Sequence, residues 1–336
     1  MRIAVIGAGQ FGRKHVATVR NEPMCTFAAV ADPVQAADFG VPHYALYTEM
    51  LDREKPDGVI IATPNALHVS VGLACVERRV AMLVEKPIAD TVQASRRLVE
   101  AAERARVPLL VGHHRRHNAL IEKARELVQG GALGRLAVVT ALWLLQKPAE
   151  YYETAWRREP GGGGPLLINL IHDVDDLRYI CGDIAELRAV TANAVRGFRV
   201  EDSAAVALRF ANGALGTATL SDAVPAPWSW ELASGENPIY PQQPENCYFF
   251  CGSEGSLALP RLQLWRYGER KGWYAPLQCE ELRAPTSDPQ ARQLQHFCRV
   301  IRGEEAPRSS GADATRTLGV IEAIHESARS GRAVLL

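Results

Sequence analysis

The chain has 336 residues, 47% of them hydrophobic and 23% charged, and its formal net charge is zero. That length suits two domains better than one core, and the apolar share excludes a disordered chain. A neutral chain casts no broad field toward nucleic acid or an anionic membrane, and neither is expected as a partner.

The first half alternates strand and helix. Arg2–Ile6 is a short β-branched run ending in glycines; it is too short for the apolar core of a signal peptide and reads as a strand. A helix is predicted over Phe11–Val19, then strands over Thr26–Ala31, Gly58–Ala62, Ala81–Val84 and Leu109–Val111. Helical stretches at Ala66–Glu77 and Thr91–Ala105 separate them. This alternation implies parallel strands with helices on both faces. The pattern changes near Asn118. After a helix over Leu120–Gln129 come strand candidates at Leu136–Leu145, Glu186–Val195, Ser203–Phe210, Leu215–Leu220, Tyr248–Cys251 and Gln263–Arg266. Hairpin-like turns such as Ala211-Asn212-Gly213 join some of them. Helices at Pro289–Arg302 and Ala312–Ser330 close the chain. The expected fold class is α/β: an N-terminal Rossmann dinucleotide-binding domain over residues 1–118, then a C-terminal α+β domain with an open, mostly antiparallel sheet over residues 119–336.

Gly7-Ala8-Gly9-Gln10-Phe11-Gly12 is a G-x-G-x-x-G turn between a strand and a helix. Gly7 permits the tight turn, Gly9 lets the backbone approach a pyrophosphate, and Gly12 allows close helix–strand packing. The helix start adds free N–H groups and a positive dipole end. Asp32 ends the second strand, 20 residues after Gly12, where an acid binds the ribose hydroxyls of the adenosine. Its carboxylate repels a 2′-phosphate, and Pro33, Val34 and Gln35 offer no cation, so NAD is expected rather than NADP. Other loops follow the later strands: Thr63-Pro64-Asn65 with His68, Glu85-Lys86-Pro87, and residues 112–118 with Arg115 and Arg116. Ligands of open α/β sheets bind at such strand ends. Gln10, Phe11, Thr63, Asn65, His68, Glu85 and Lys86 are therefore expected around the cofactor. The Lys86 ammonium would stabilise alkoxide character as hydride leaves a substrate carbon.

Gly161–Gly164 precede a helix in which Leu167, Leu170, Ile171, Val174 and Leu177 share one face at 100° per residue. His172, Asn169 and Asp176 fall opposite, on a polar face toward solvent or a cleft. An imidazole titrates near neutral pH, so His172 is the candidate to take a hydroxyl proton. Trp156, Arg157, Asn169 and His172 are candidate substrate contacts. Arg116 is a candidate for an anionic substrate or for holding its loop, and Trp228 and Trp230 for stacking on a sugar or for packing. The seven cysteines are scattered without a C-x-x-C pair, which suits reduced thiols in the cytoplasm. Cys247 and Cys251 lack a matching Cys/His pair, so no metal is expected.

In this order, the GAGQFG turn, TPNALH, EKP, the RR pair and the glycine run before a histidine helix resemble the glucose–fructose oxidoreductase/inositol dehydrogenase (Gfo/Idh/MocA) family over essentially the whole chain. The resemblance implies chemistry on sugars, cyclitols or similar hydroxy compounds. It implies a Lys86 bonded to the reacting oxygen, a cis peptide before Pro87, and a homodimer or homotetramer through the open sheet. One departure stands out: many members carry an aspartate four residues before the histidine, where this chain has Ile168, followed by Asn169. The expected function is an NAD-dependent dehydrogenase acting on a small hydroxylated substrate. An NAD-dependent glycosidase and a cofactor-sensing regulator are the competing readings.

Overall fold

The computed structural model describes residues 1–34 and 37–336; Gln35, one of the positions read for a missing cation, lies outside them. The chain forms two compact units, residues 1–117 with 288–318, and residues 118–287 with 319–336. Sequence patterning places a single cut near residue 118 and leaves 288–318 with the second domain, whereas the contacts group that segment with the first unit.

The first unit holds a six-stranded sheet of β1 (Arg2–Ile6), β2 (Thr26–Ala31), β3 (His43–Tyr44), β4 (Gly58–Ile61), β5 (Ala81–Val84) and β6 (Leu109–Val111). The spatial order is β3-β2-β1-β4-β5-β6, and every pairing is parallel. Strands β4, β5 and β6 are buried at every residue, as their unbroken apolar runs require in a sheet covered on both faces. The helices are α1 (Gln10–Asn21), α2 (Tyr47–Glu54), α3 (His68–Glu77) and α4 (Val92–Ala105). Thr91 caps α4 by accepting the Ala94 N–H at 3.1 Å, and its apolar stripe of Leu98, Val99 and Ala102 is buried. The order reverses beside β1, whose neighbours are β2 and β4, and this switch point opens the crevice where such sheets bind ligands.

The second unit is built on α5 (Ala119–Gln129), α6 (Ile171–Cys181), the short α7 (Trp230–Ala233) and a nine-stranded sheet. Its strands are β7 (Leu136–Leu144), β8 (Ile184–Ala192), β9 (Ser203–Phe210), β10 (Leu215–Ser221), β11 (Tyr248–Gly252), β12 (Ser256–Leu259), β13 (Gln263–Tyr267), β14 (Leu277–Glu281) and β15 (Val334–Leu335). The order is β14-β13-β12-β11-β7-β10-β9-β8-β15. Only the β7–β10 pair is parallel among the described residues. Alternation along β9 buries Ala204, Val206, Leu208 and Phe210 on one face, in a core shared with Ile171, Val174 and Leu177 of α6.

Helix α8 (Pro289–Ile301) packs Leu294, Phe297 and Cys298 into the core of the first unit, with Ile3, Val5 and Ile60. A Cβ at Gly58 would come 3.0 Å from the Phe297 ring, so β4 begins with a glycine where α8 lies closest. Helix α9 (Gly311–Ser330) is the last, and its residues are divided between the units after Leu318.

Candidate active site

The turn after β1 is as tight as its glycines suggest. Gly7 has φ +93°, and a Cβ there would lie 2.6 Å from the Ala62 carbonyl oxygen. A Cβ at Gly12 would lie 1.9 Å from the Gly7 carbonyl oxygen. Gly9 differs: among the described residues nothing lies within 4 Å of its Cβ position, so none of them demands a glycine there. Gly9 caps α1 without a side-chain hydrogen bond, and Gln10 and Phe11 beside it are exposed. Open space at Gly9 and a helix start without a side-chain cap fit the approach of a pyrophosphate.

Asp32 sits at the end of β2. Its Oδ2 accepts the Ala8 N–H at 2.6 Å and its Oδ1 the Val34 N–H at 2.8 Å. Each carboxylate oxygen keeps a second lone pair, so these bonds orient the group without exhausting it. Thr63 follows β4, and its buried Oγ1 has no hydrogen-bond partner among the described residues. A buried hydroxyl in that condition costs free energy unless a ligand or water engages it. Together, the open turn, the oriented carboxylate and this hydroxyl fit a dinucleotide. Asn65 opens the turn that follows, half-buried.

Other predicted cofactor contacts are engaged within the protein. His68 is fully buried, with Nδ1 2.8 Å from the Pro87 carbonyl oxygen and Nε2 2.9 Å from that of Thr63. It braces the loop after β4 against the loop after β5 and presents neither ring nitrogen to a ligand. Burial lowers its pKa against the raising effect of those two carbonyls. Glu85 points its carboxylate at His15, with Oε1 2.7 Å from His15 Nε2, and accepts the Lys86 N–H on Oε2 at 3.1 Å. Lys86 is half-buried at the end of β5, and the Lys86–Pro87 peptide is cis.

Arg116 is buried, donates to the Arg308 carbonyl at 3.0 Å and pairs with Asp313. Of the two roles considered for it, this geometry supports holding the loop. The neighbouring His117 is driven down to about 2 by burial and by the charges of Arg308, His296, Arg292 and His114.

In the second unit, Leu166–Leu170 forms a π-helical turn that runs into α6. The expected polar face does not reach solvent. Every residue from Ile171 to Arg178 is buried, including His172, Asp173, Asp175 and Asp176. The physical reason is a second packing partner: the Tyr248 hydroxyl donates to Asp173, and Asp176 Oδ2 lies 3.3 Å from it. Trp230 stacks on the Tyr248 ring at 5.6 Å and is itself buried, so it packs rather than offering a sugar platform. Trp228 is exposed.

Asn169 accepts a hydrogen bond from Lys147 Nζ at 2.6 Å. Sequence reading missed Lys147, which also lies 3.7 Å from Asp222; that carboxylate takes bonds from Tyr152 and, at 2.9 Å, Arg196. Arg157 donates to the Tyr151 carbonyl at 2.7 Å and covers that ring at 4.0 Å, while Trp156 beside it is 51% exposed. The glycine run has internal causes. A Cβ at Gly163 would meet the Trp156 and Arg157 carbonyl oxygens at 2.6 Å, and one at Gly164 would meet Glu201 at 2.5 Å.

Comparison with known proteins decides the family. The model of an oxidoreductase family with an NAD-binding Rossmann fold (GFO_IDH_MocA) matches residues 1–113, and that of the GFO/IDH/MocA C-terminal domain matches residues 121–258. The chain belongs to the Gfo/Idh/MocA family. It is thus an NAD-binding oxidoreductase, and its parallel sheet followed by a mixed sheet is the fold expected of this family. D-apiose dehydrogenase of Paraburkholderia graminis is 28% identical over 99% of this chain and 89% of its own. The rhizopine catabolism protein MocA of Rhizobium meliloti is 30% identical over 58% of this chain and 64% of its own, so the match spans just under two thirds of that relative. The WlbA dehydrogenase from Bordetella pertussis, solved with NADH and UDP-GlcNAcA, has a TM-score of 0.82 at 24% identity, covering 100% of this chain and 98% of that one. At that identity the likeness concerns the fold.

Proposed function

We propose that this family member is an NAD-dependent dehydrogenase of a secondary alcohol on a sugar-like or cyclitol-like substrate. The observation that carries the reading is the switch-point crevice, where an open glycine turn, the oriented Asp32 and the buried Thr63 hydroxyl adjoin the strand end bearing Lys86. The naming of relatives as a D-apiose dehydrogenase and a myo-inositol 2-dehydrogenase supports the substrate class. Held at this crevice, NAD would supply the hydride acceptor. Lys86 holds the substrate oxygen and stabilises the negative charge that grows on it. His172, buried on α6, takes the hydroxyl proton. Asn169, held by Lys147, orients the substrate beside it. Trp156 and Arg157 border the substrate. The free thiols of all seven cysteines support a reducing, cytoplasmic setting.

The test is a panel of aldoses, aldonates and cyclitols assayed for NADH formation, followed by pH–rate profiles of His172→Ala on the best substrate. Loss of a general base should lower kcat by about 10²-fold, with partial recovery as hydroxide rises. A variant with unchanged kcat and an unchanged profile removes His172 from the chemistry.

A further inference from the structure

His15 belongs to none of the motifs that point to the cofactor, yet it lies on the buried stripe of α1 with Gly12, Val16 and Val19. A polar ring in that stripe needs a partner. The partner is Glu85: a carboxylate only accepts, so His15 Nε2 is the donor across the 2.7 Å contact. The other carboxylate oxygen takes the Lys86 N–H at 3.1 Å. The loop after β6 makes room for it, since a Cβ at Gly112 would come 3.0 Å from Glu85 Oε2. The backbone is pinned on both sides as well, with Glu85 N–H donating to the Ile61 carbonyl at 2.9 Å and Gly112 N–H to that of Val84 at 2.7 Å.

We infer that His15 is a positioning residue for Lys86, acting through the Glu85 carboxylate that it holds against the Lys86 backbone. The inference rests on the reading of Lys86 as the group at the substrate oxygen. A helix that begins at the cofactor turn thereby fixes the lysine that meets the substrate. The charged and titratable groups facing Glu85 are His15 from α1, Lys86 on its own loop and His114 after β6; His68 of α3 also feels its charge, and Asp90 acts on His68 in turn. Burial alone would raise the Glu85 pKa, but the His15 bond and charge, then Lys86 and His114, outweigh it and hold the group at about 2. Without His15 the carboxylate keeps its burial and loses its leading partner, so its pKa should rise toward working pH. Protonation would then weaken the acceptor of the Lys86 N–H and remove the charge beside its ammonium.

The experiment compares wild type, His15→Phe, His15→Gln, the double variant His15→Phe/Glu85→Gln and Lys86→Ala on the best substrate of the panel, from pH 4.5 to 8. His15→Phe should lower kcat about 10-fold at neutral pH, a typical loss when a reacting group is no longer held in place. It should also show a second acid limb, added to the one that a general base gives the wild type. His15→Gln, whose side-chain amide can donate to the same oxygen, should recover most of the rate. The double variant should stay slow but lose the added acid limb, because the Glu85 carboxyl that titrates is gone. Should His15→Phe fail to fold, His15→Asn, too short to reach Oε1, takes its place with the same expectation.

A substrate-free readout runs in parallel. Glu85 is depressed in the folded state, so it stabilises fully above its unfolded value of about 4.3, and that stability is lost as pH falls toward about 2. In His15→Phe the folded pKa would stand above the unfolded one, so the sign reverses: relative to wild type, Tm should rise as pH falls from neutral toward about 4.3. An added acid limb that persists in the double variant, or a His15→Phe profile parallel to wild type while Lys86→Ala is crippled, overturns the inference alone. Full activity in Lys86→Ala overturns the reading on which it rests.

Discussion

Asp32 carries the choice between cofactors. Its two oxygens are fixed by the Ala8 and Val34 N–H groups, so the negative charge stands at a defined place at the end of β2. A 2′-phosphate there would meet a carboxylate that cannot turn away. Asp32→Ala should therefore weaken NADH binding and narrow its margin over NADPH, by removing repulsion as well as attraction. Fluorescence titration of both cofactors measures the margin, and an unchanged ratio would place the discrimination elsewhere. At this scale the sequence shows which residues stand at strand ends but not where their side chains turn. His68 and Glu85 stand where the cofactor is expected, yet each satisfies its own neighbours. His15 was legible in principle, as a polar residue in an apolar stripe three positions after Gly12, with an acid at the end of a parallel strand to pair with it.

Elements of the first unit were read closely because unbroken apolar strands and a G-x-G-x-x-G turn leave few alternatives. Strands β1, β2, β5 and β6 fall where the pattern places them. The short β3 and α2 have no clear signature in the sequence, since Tyr47–Glu54 buries only Met50 and Leu51 and has too weak a stripe to declare itself. In the second unit, α6 shows the limit of a helical wheel. A wheel assumes one buried face and regular spacing; here a π turn precedes the helix, and Tyr248 covers what would be its polar side. The glycine turn offers the sharpest test at this scale. A methyl at Gly12 would sit 1.9 Å from the Gly7 carbonyl oxygen, so helix and turn must separate. Gly12→Ala should cost about 1–3 kcal/mol in urea denaturation, as overpacked sites do, and NADH affinity should fall with it. Full stability with full affinity would show that the packing is looser than its geometry implies.

For the whole molecule, the second sheet raises the question of assembly. Alternation along its strands buries one face and leaves Ala205, Ala207, Leu215, Thr217, Val138 and Val190 on the other, uncharged, with Arg188 and the Arg209–Glu186 pair beside them. A sheet face of that composition is suited to a second copy of the same chain, and a homodimer or homotetramer is the proposed state. Analytical ultracentrifugation should find a dimer or larger, and Leu215→Lys should shift it toward monomer without loss of fold; a monomeric wild type ends the proposal. Division of the chain was less legible than its elements, because segment 288–318 returns to the first unit through Leu294 and Phe297, a long-range contact that no local pattern announces. The central claim is that this chain oxidises a hydroxyl with Lys86 at the substrate oxygen. Its most direct measurement is the initial rate of NADH formation by wild type and Lys86→Ala, side by side on the best substrate of the panel, with NADH affinity measured on both. The expected result is a kcat lower by about 10² or more in the variant with affinity for NADH nearly unchanged; equal rates would contradict it.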